Sequence, residues 1–415
     1  MAEVLTYNPF LPEVREDPYP QYRALREADP VHRSPFLDMW VLTRYEDVAQ
    51  VLRDHRFSAD RTKWESFQRQ GGAADPGSPG QRPQGGIPPQ VEGFDPVRSL
   101  LSLDPPDHTR LRTLVTKAFT PRVVEQLRPQ AQAIVDEALD RAAALGEMEL
   151  IEHLAYPLPV AVIAGMLGVP RDDWPQFREW SRVLVSSLDP VALPDPELIA
   201  AVRGAQDALF EYLGGVVAAR RREPRDDLIS ALIAVEERGD VLNERELLVM
   251  LNLLLVAGHE TTVNLIGNGV LALLRNPDQL ALLRRQPDVI ESAVEELLRF
   301  DSPVQLTGRI AAEACELGGQ QIRPGQLVLT LLGAANRDPL QFADPDRLDL
   351  TRSPNQHFSF GRGIHFCLGA PLARLEGRIA IGSLVRRFPE LRQAGEAVRG
   401  ETITLRGLTR LPLAL

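Results

Sequence analysis

Two stretches of this sequence hold side chains whose types and spacing could do chemistry. One is FSFGRGIHFCLGAPLARLEGRIA, residues 358–380, in which Cys367 stands between a glycine-rich approach and an apolar helical run. Gly361 and Gly363 let the backbone turn tightly and come close to a flat ligand. A helix predicted from about 368 would put its N-terminus beside Cys367, with partial positive charge and free N–H groups. Both favour thiolate over thiol, so the pattern predicts a lowered cysteine pKa and a metal-ligating sulfur. The other stretch is LLVMLNLLLVAGHETTVNLIGNGVLALLR, residues 247–275, an apolar run with a polar island from Ala257 to Thr262. On a helix Leu253, Ala257 and Thr261 share a face. Small residues at 257 and 258 admit a flat ring, and Glu260 and Thr261 offer a carboxylate and a hydroxyl beside it. Such a pair suits proton delivery in a nearly dry pocket.

Three other patterns need weighing. His259-Glu260 opens like the zinc motif H-E-x-x-H, but the fifth position is Val263, so the second ligand is missing and His259 is read as a non-ligand. Glu296 and Arg299, three apart, and His108 and Arg112, four apart in PPDHTRLR, each share a helix face. Taken alone, such pairs are ordinary surface features. The stretch around Cys367 does not follow the dinucleotide pattern G-x-G-x-x-G, since Phe366 stands where the third glycine belongs.

The elements that must position these groups are mostly helical. Residues 17–30 and 45–53 read as helices around strand-like stretches at 31–43. From about 107 to 300 apolar residues recur at three- and four-residue spacing, as at Ala131, Ile134, Val135 and Ala138, with Pro121, Pro157, Pro170, Pro224 and Pro277 as punctuation. Short strands are expected over 304–331 and after 400. The Gly/Pro/Gln-rich segment at 68–93 cannot build a core of its own and reads as a surface loop or a lid. No linker interrupts the 415 residues, so one large unit, mainly α with a minor β part, is expected.

Composition narrows the class. The net charge of -11 argues against nucleic acid. Two cysteines in unlike contexts, Cys315 and Cys367, argue against a disulfide framework and fit a reducing cytosol. The N-terminal residues have no apolar targeting run, and Glu260 would be costly in a membrane span, so a soluble cytoplasmic protein is expected.

The segment FGRGIHFCLG resembles the haem-binding signature of the cytochrome P-450 family, F-x-x-G-x-[HR]-x-C-x-G, with Phe360, Gly363, His365, Cys367 and Gly369 in register. Residues 257–262 are similar to that family's [AG]-G-x-[DE]-T-[TS] motif. The resemblance implies a triangular prism of helices around haem b, with Cys367 as the axial iron ligand. It implies that Phe360 packs near the sulfur, and that Gly361 and Gly369 belong to the cofactor loop. His108, Arg112, Arg309 and His365 would then bind the haem propionates. Ala257 would lie against the ring, Thr261 would hydrogen-bond dioxygen, and Glu260 would relay protons for O–O scission. Glu296 and Arg299 would brace the thiolate loop together with Arg347.

As a family member the chain would be a single catalytic domain over 1–415 without a fused reductase. It would hydroxylate or epoxidise an apolar or amphipathic organic substrate. A monomer is expected, taking electrons from a separate ferredoxin and ferredoxin reductase, with Arg110, Arg362 and Arg374 as a docking patch. Leu253, Ala257, Val304 and residues near Leu408 would line the pocket, and residues 62–98 would cover it. Two alternatives stand beside this: a peroxide-driven peroxygenase, against which Glu260 and Thr261 argue, and a non-catalytic haem-binding protein.

Overall fold

The computed structural model describes residues 7–34, 39–65, 98–185, 196–236 and 242–415. The expected lid, 62–98, therefore lies almost wholly outside the described residues. Helix α1 (Tyr19–Ala28) leads into strands β1 (Val31–Ser34) and β2 (Met39–Leu42), then α2 (Tyr45–Arg53) and β3 (Phe57–Ser58). A helical stretch follows: α3 (Asp107–Ala118), α4 (Arg128–Leu145), α5 (Pro157–Met166), α6 (Trp174–Val185), α7 (Pro196–Arg222), α8 (Leu228–Glu236), α9 (Glu244–Arg275), α10 (Pro277–Arg285) and α11 (Ile290–Phe300). Pro157 and Pro277 each open a helix, where a missing N–H costs nothing.

One strand breaks this run. Gly146, at φ 72°, ends α4, and β4 (Glu147–Glu149) follows at once. It pairs with the C-terminal β8 (Pro412–Ala414), which also pairs with β7 (Arg392–Gln393). Sequence reading extended helix across β4, because nothing local reveals a partner some 260 residues away. The larger sheet runs β1-β2-β6-β5-β3, with β5 (Leu306–Ala311) and β6 (Leu327–Leu331). In it β2 and β6 are parallel, with Trp40 opposite Val328. The architecture is mainly α with a minor β part, as expected.

Helix α9 is the axis of the helical part. Its start is fixed by a reciprocal cap: Asn243 Oδ1 accepts from the Glu246 backbone N–H, while Glu246 accepts from the Asn243 N–H. It packs against α5, α6, α7, α11 and the last long helix, α12 (Ala370–Arg387). By length and apolarity α9 could cross a membrane, but 61% of its most apolar window is buried inside the protein. Its apolar character is accounted for by this core packing.

Candidate active site

The loop from Phe358 to Gly369 is shaped by its own backbone. The Gly361 N–H donates to Phe358 O at 2.7 Å, Phe366 N–H to Gly363 O at 3.1 Å, and Cys367 N–H to Phe360 O at 2.9 Å. Gly361 and Gly363 hold φ 67° and 72°, a region where any other residue is strained. At Gly363 a Cβ would also collide with the Leu52 carbonyl at the end of α2. These two glycines, expected from sequence to permit a tight turn, thus fix the loop.

Cys367 is exposed within its recess, with Gly369 as the N-cap of α12. Burial by surrounding protein pushes its thiol pKa up. The N–H groups of Gly369 and Ala370 and the charges of Arg112 and Arg374 pull the other way but do not win. The expectation of a lowered pKa is therefore corrected: the positive surroundings exist, but desolvation outweighs them. A thiol of this kind is deprotonated when a metal replaces its proton.

Around the recess stand cations without matching carboxylates. Arg309, on β5, is 8% exposed and donates only to Thr307 Oγ1 and the Gly308 carbonyl. Burial and the charge of Arg61 lower its pKa to about 10. His108 is buried, and neither ring nitrogen has a hydrogen-bond partner. Its ring centroid lies 4.3 Å from that of His365. Burial, with Arg309 and His108 nearby, drives the His365 pKa down to about 3. Arg112 donates to the Phe366 carbonyl at 2.7 Å. The nearby carboxylate, Asp104, is already taken by Lys63 at 2.7 Å and by Ser58 and Ala59. The buried Arg309, the half-buried Arg112 and an orphaned histidine suit a ligand that brings its own anions. The two propionates of haem b fit that requirement. Arg61 belongs to this cluster and was not picked out in the sequence, where it borders the composition-biased segment.

The loop is braced from behind. Glu296 and Arg299 of α11 are fully buried and joined by two 2.8 Å bonds. Arg299 also donates to the carbonyls of Asn336 and Pro345 at 2.9 and 2.8 Å. Asn336 in turn accepts from Phe358 N–H at 2.7 Å and donates to Ser359 Oγ at 2.9 Å. The third side chain is not Arg347, which gives only its carbonyl to Arg299. It is Arg352, whose Nε lies 3.1 and 3.2 Å from the Glu296 oxygens. Asn355 and the Asp349 N–H add two further bonds to Glu296. Both arginines lie in one loop, and sequence spacing does not say which of them turns inward. Beside this brace, Arg374 of α12 forks onto Glu295 at 2.6 and 2.7 Å and lies over the Phe360 ring at 4.5 Å.

On α9 the polar island splits by face. Leu255, Val256, His259, Thr262 and Val263 are buried, whereas Leu253, Ala257, Gly258, Glu260 and Thr261 keep partial access. His259 bonds Ser181 and the Leu255 carbonyl, and burial lowers its pKa to about 4. It is neutral, so its 3.7 Å approach to Glu260 is not an ion pair. Thr261 Oγ1 donates to its own helix at Ala257 O, 3.2 Å away. Burial raises the Glu260 pKa. Tyr156, whose own pKa is pushed up by burial and then by the Glu260 charge, lies beside it.

Val304 is half-buried in a bridge to Leu405. Leu408 itself is core, against α9 at Gly267, ten residues past Ala257. Of the expected docking arginines, Arg110 is paired with Glu246 and Arg374 with Glu295, so two of the three charges are already balanced.

Glu376 is the most unusual group that sequence reading passed over. It lies on α12, wholly buried, with neither carboxyl oxygen hydrogen-bonded. Burial lifts its pKa to about 8, and the Thr262 hydroxyl beside it offsets only part of this. The signal was present as a carboxylate inside the apolar stripe Leu372, Leu375, Ile379.

Comparison with known proteins agrees with this geometry. The family model for cytochrome P450 matches residues 77–290 and 284–409. Cytochrome P450 107B1 of Saccharopolyspora erythraea is 47% identical over 409 residues, covering 96% of this chain and 95% of its own. The vitamin D(3) 25-hydroxylase of Pseudonocardia autotrophica is 44% identical, covering 96% and 94%. The ligand-free structure of CYP164A2 from Mycobacterium smegmatis superposes with a TM-score of 0.86 at 44% identity, covering 97% of each chain. The chain belongs to the cytochrome P450 family and is a haem-thiolate monooxygenase with haem b as its cofactor.

Proposed function

We propose that Cys367 is the axial thiolate of this monooxygenase, that Glu260 and Thr261 deliver protons, and that His108, Arg112, Arg309 and His365 hold the propionates. The observation that carries the reading is the cluster of basic side chains around a braced cysteine loop, whose nearby carboxylate, Asp104, is already engaged by Lys63. When bound, the haem supplies dioxygen activation, to which a thiolate ligand adds electron density that favours O–O cleavage.

The chain's residues supply the rest. Burial raises the Glu260 pKa, so its carboxyl holds a proton more tightly than a solvated glutamate does. Thr261 Oγ1 rests on the Ala257 carbonyl at 3.2 Å and is free to rotate toward an acceptor on the accessible face. Leu253 and Ala257 make that face apolar, which suits an apolar or amphipathic organic substrate. Among relatives, the names vitamin D(3) 25-hydroxylase and 6-deoxyerythronolide B hydroxylase are in keeping with bulky substrates of this type.

In this reading residues 1–415 act as one cytoplasmic catalytic unit. Electrons come from a separate ferredoxin and its reductase. With Arg110 and Arg374 neutralised, Arg362 is the docking arginine that matters most. The test is turnover of a fatty acid or steroid panel with ferredoxin, reductase and NADPH, against hydrogen peroxide alone. Product formed only in the reconstituted chain supports the reading. Product formed only with peroxide replaces it with the peroxygenase alternative.

A further inference from the structure

A second cleft, of about 230 Å³, opens between α4, α10, the start of α11 and α12. Arg378 and Arg386 line it eight and sixteen residues past Ala370, roughly 12 and 24 Å along α12 at about 1.5 Å per residue. It is thus separate from the Cys367 recess. Arg128 of α4 and Arg284 of α10 complete a ring of four guanidinium groups from three helices. Gln132 and Ser383 add neutral polar groups, Glu291 adds one carboxylate, and Leu283, Ile290 and Ile379 form an apolar floor.

These charges are poorly compensated. Arg378 reaches Glu291 at 3.1 Å, but that carboxylate is 72% exposed. Arg128 pairs with Glu125, which is 61% exposed. Among the described residues, Arg284 donates only to the Phe388 carbonyl, at 3.4 Å, and Arg386 only to Ser383 Oγ, at 3.5 Å. The Nε–H groups of Arg284 and Arg378 are buried without a partner among those residues. Exposed ion pairs contribute little, and buried unpaired donors cost free energy. In a chain of net charge -11, four arginines converging on one concavity form a local positive site against the overall field. Guanidinium forks match phosphate oxygens in pairs.

We propose that this cleft binds the phosphate group of a phosphate ester, with the organic part resting on the Leu283–Ile290–Ile379 floor. The experiment is isothermal titration of the haem-loaded protein with ADP, with inorganic pyrophosphate, and with adenosine as the uncharged control. ADP is expected to bind saturably at one site, pyrophosphate more weakly, and adenosine not at all. The double variant Arg284→Gln/Arg386→Gln is expected to weaken ADP at least tenfold while the carbon monoxide spectrum stays unchanged. Should that variant fail to fold, Arg386→Gln alone, which gives up only the long Ser383 contact, is expected to weaken ADP several-fold. Arg141→Gln, on an exposed pair elsewhere on α4, is expected to change nothing. Absence of saturable binding, binding that survives the Arg386 substitution, or equal weakening by Arg141→Gln would overturn the proposal.

Discussion

The sulfur side of the site and the α9 side are built by opposite means. Behind Cys367 nearly every polar group is fixed twice over. Glu296 receives bonds from Arg299, Arg352, Asn355 and the Asp349 N–H, and Arg299 carries the linkage through Asn336 to Phe358 and Ser359. On α9, among the described residues, Thr261 bonds only its own helix, and Glu260 sits in a desolvated position with no charged ion-pair partner. On the proposed roles, the difference teaches what each side requires. A metal ligand must stay where it is, so its loop would be over-determined. Proton carriers must change partners, so their groups would be left with weak local bonds.

The largest way to break this contrast is to remove the brace. Glu296→Ala strands Arg299 and Arg352 as buried charges, and is expected to destabilise the fold by about 3–5 kcal/mol and to lower haem content. Denaturant unfolding and the haem-to-protein absorbance ratio read both effects. Stability unchanged within error would show that the network is dispensable.

Next in size is Glu376. Its pKa in the folded protein, about 8, lies above the ordinary 4.5, so its contribution to stability is full below about pH 4.5 and is lost as pH rises through about 8. Relative to wild type, Glu376→Gln should therefore gain stability as pH rises, by a few kcal/mol near pH 9 and by little near pH 5. A constant difference between the two proteins across that range would contradict this assignment.

The two loop arginines sharpen the account further. Arg352→Ala should cost about 1–3 kcal/mol because it removes charge-assisted bonds to buried Glu296. Arg347→Ala should stay within about 0.5 kcal/mol, since only its carbonyl takes part. Thermal unfolding of the two variants side by side decides between them, and the reverse order would restore Arg347 as the third member.

The smallest effect on stability belongs to Thr261→Ala, which gives up one hydroxyl bond within its own helix. Melting should move by less than about 0.5 kcal/mol, while product formed per dioxygen consumed should fall by roughly tenfold or more. Coupling equal to wild type would remove Thr261 from proton delivery.

How much was legible follows the same division. The tight turn at Gly361 and Gly363 beside Cys367, and the helical setting of the α9 island, could be read because they depend on neighbours within one turn or loop. The pairing of β4 with β8, the choice of Arg352 over Arg347 and the place of Leu408 depend on which distant segment packs where, and no local pattern encodes that. The Cys367 pKa was misjudged for a related reason. The helix terminus is visible in sequence, but the desolvation by surrounding protein that outweighs it is not. Arg61 and Glu376 stood in the sequence with no partner to mark them, and only tertiary packing gives them meaning.

The most direct test is the carbon monoxide difference spectrum of the dithionite-reduced protein, recorded for wild type, Cys367→Ser and Thr261→Ala. Wild type and Thr261→Ala should both show the red-shifted Soret band of thiolate-ligated haem, and Cys367→Ser should lose it. Retention of that band in Cys367→Ser, or its loss in Thr261→Ala, would contradict the division between a fixed sulfur side and a loosely held proton side.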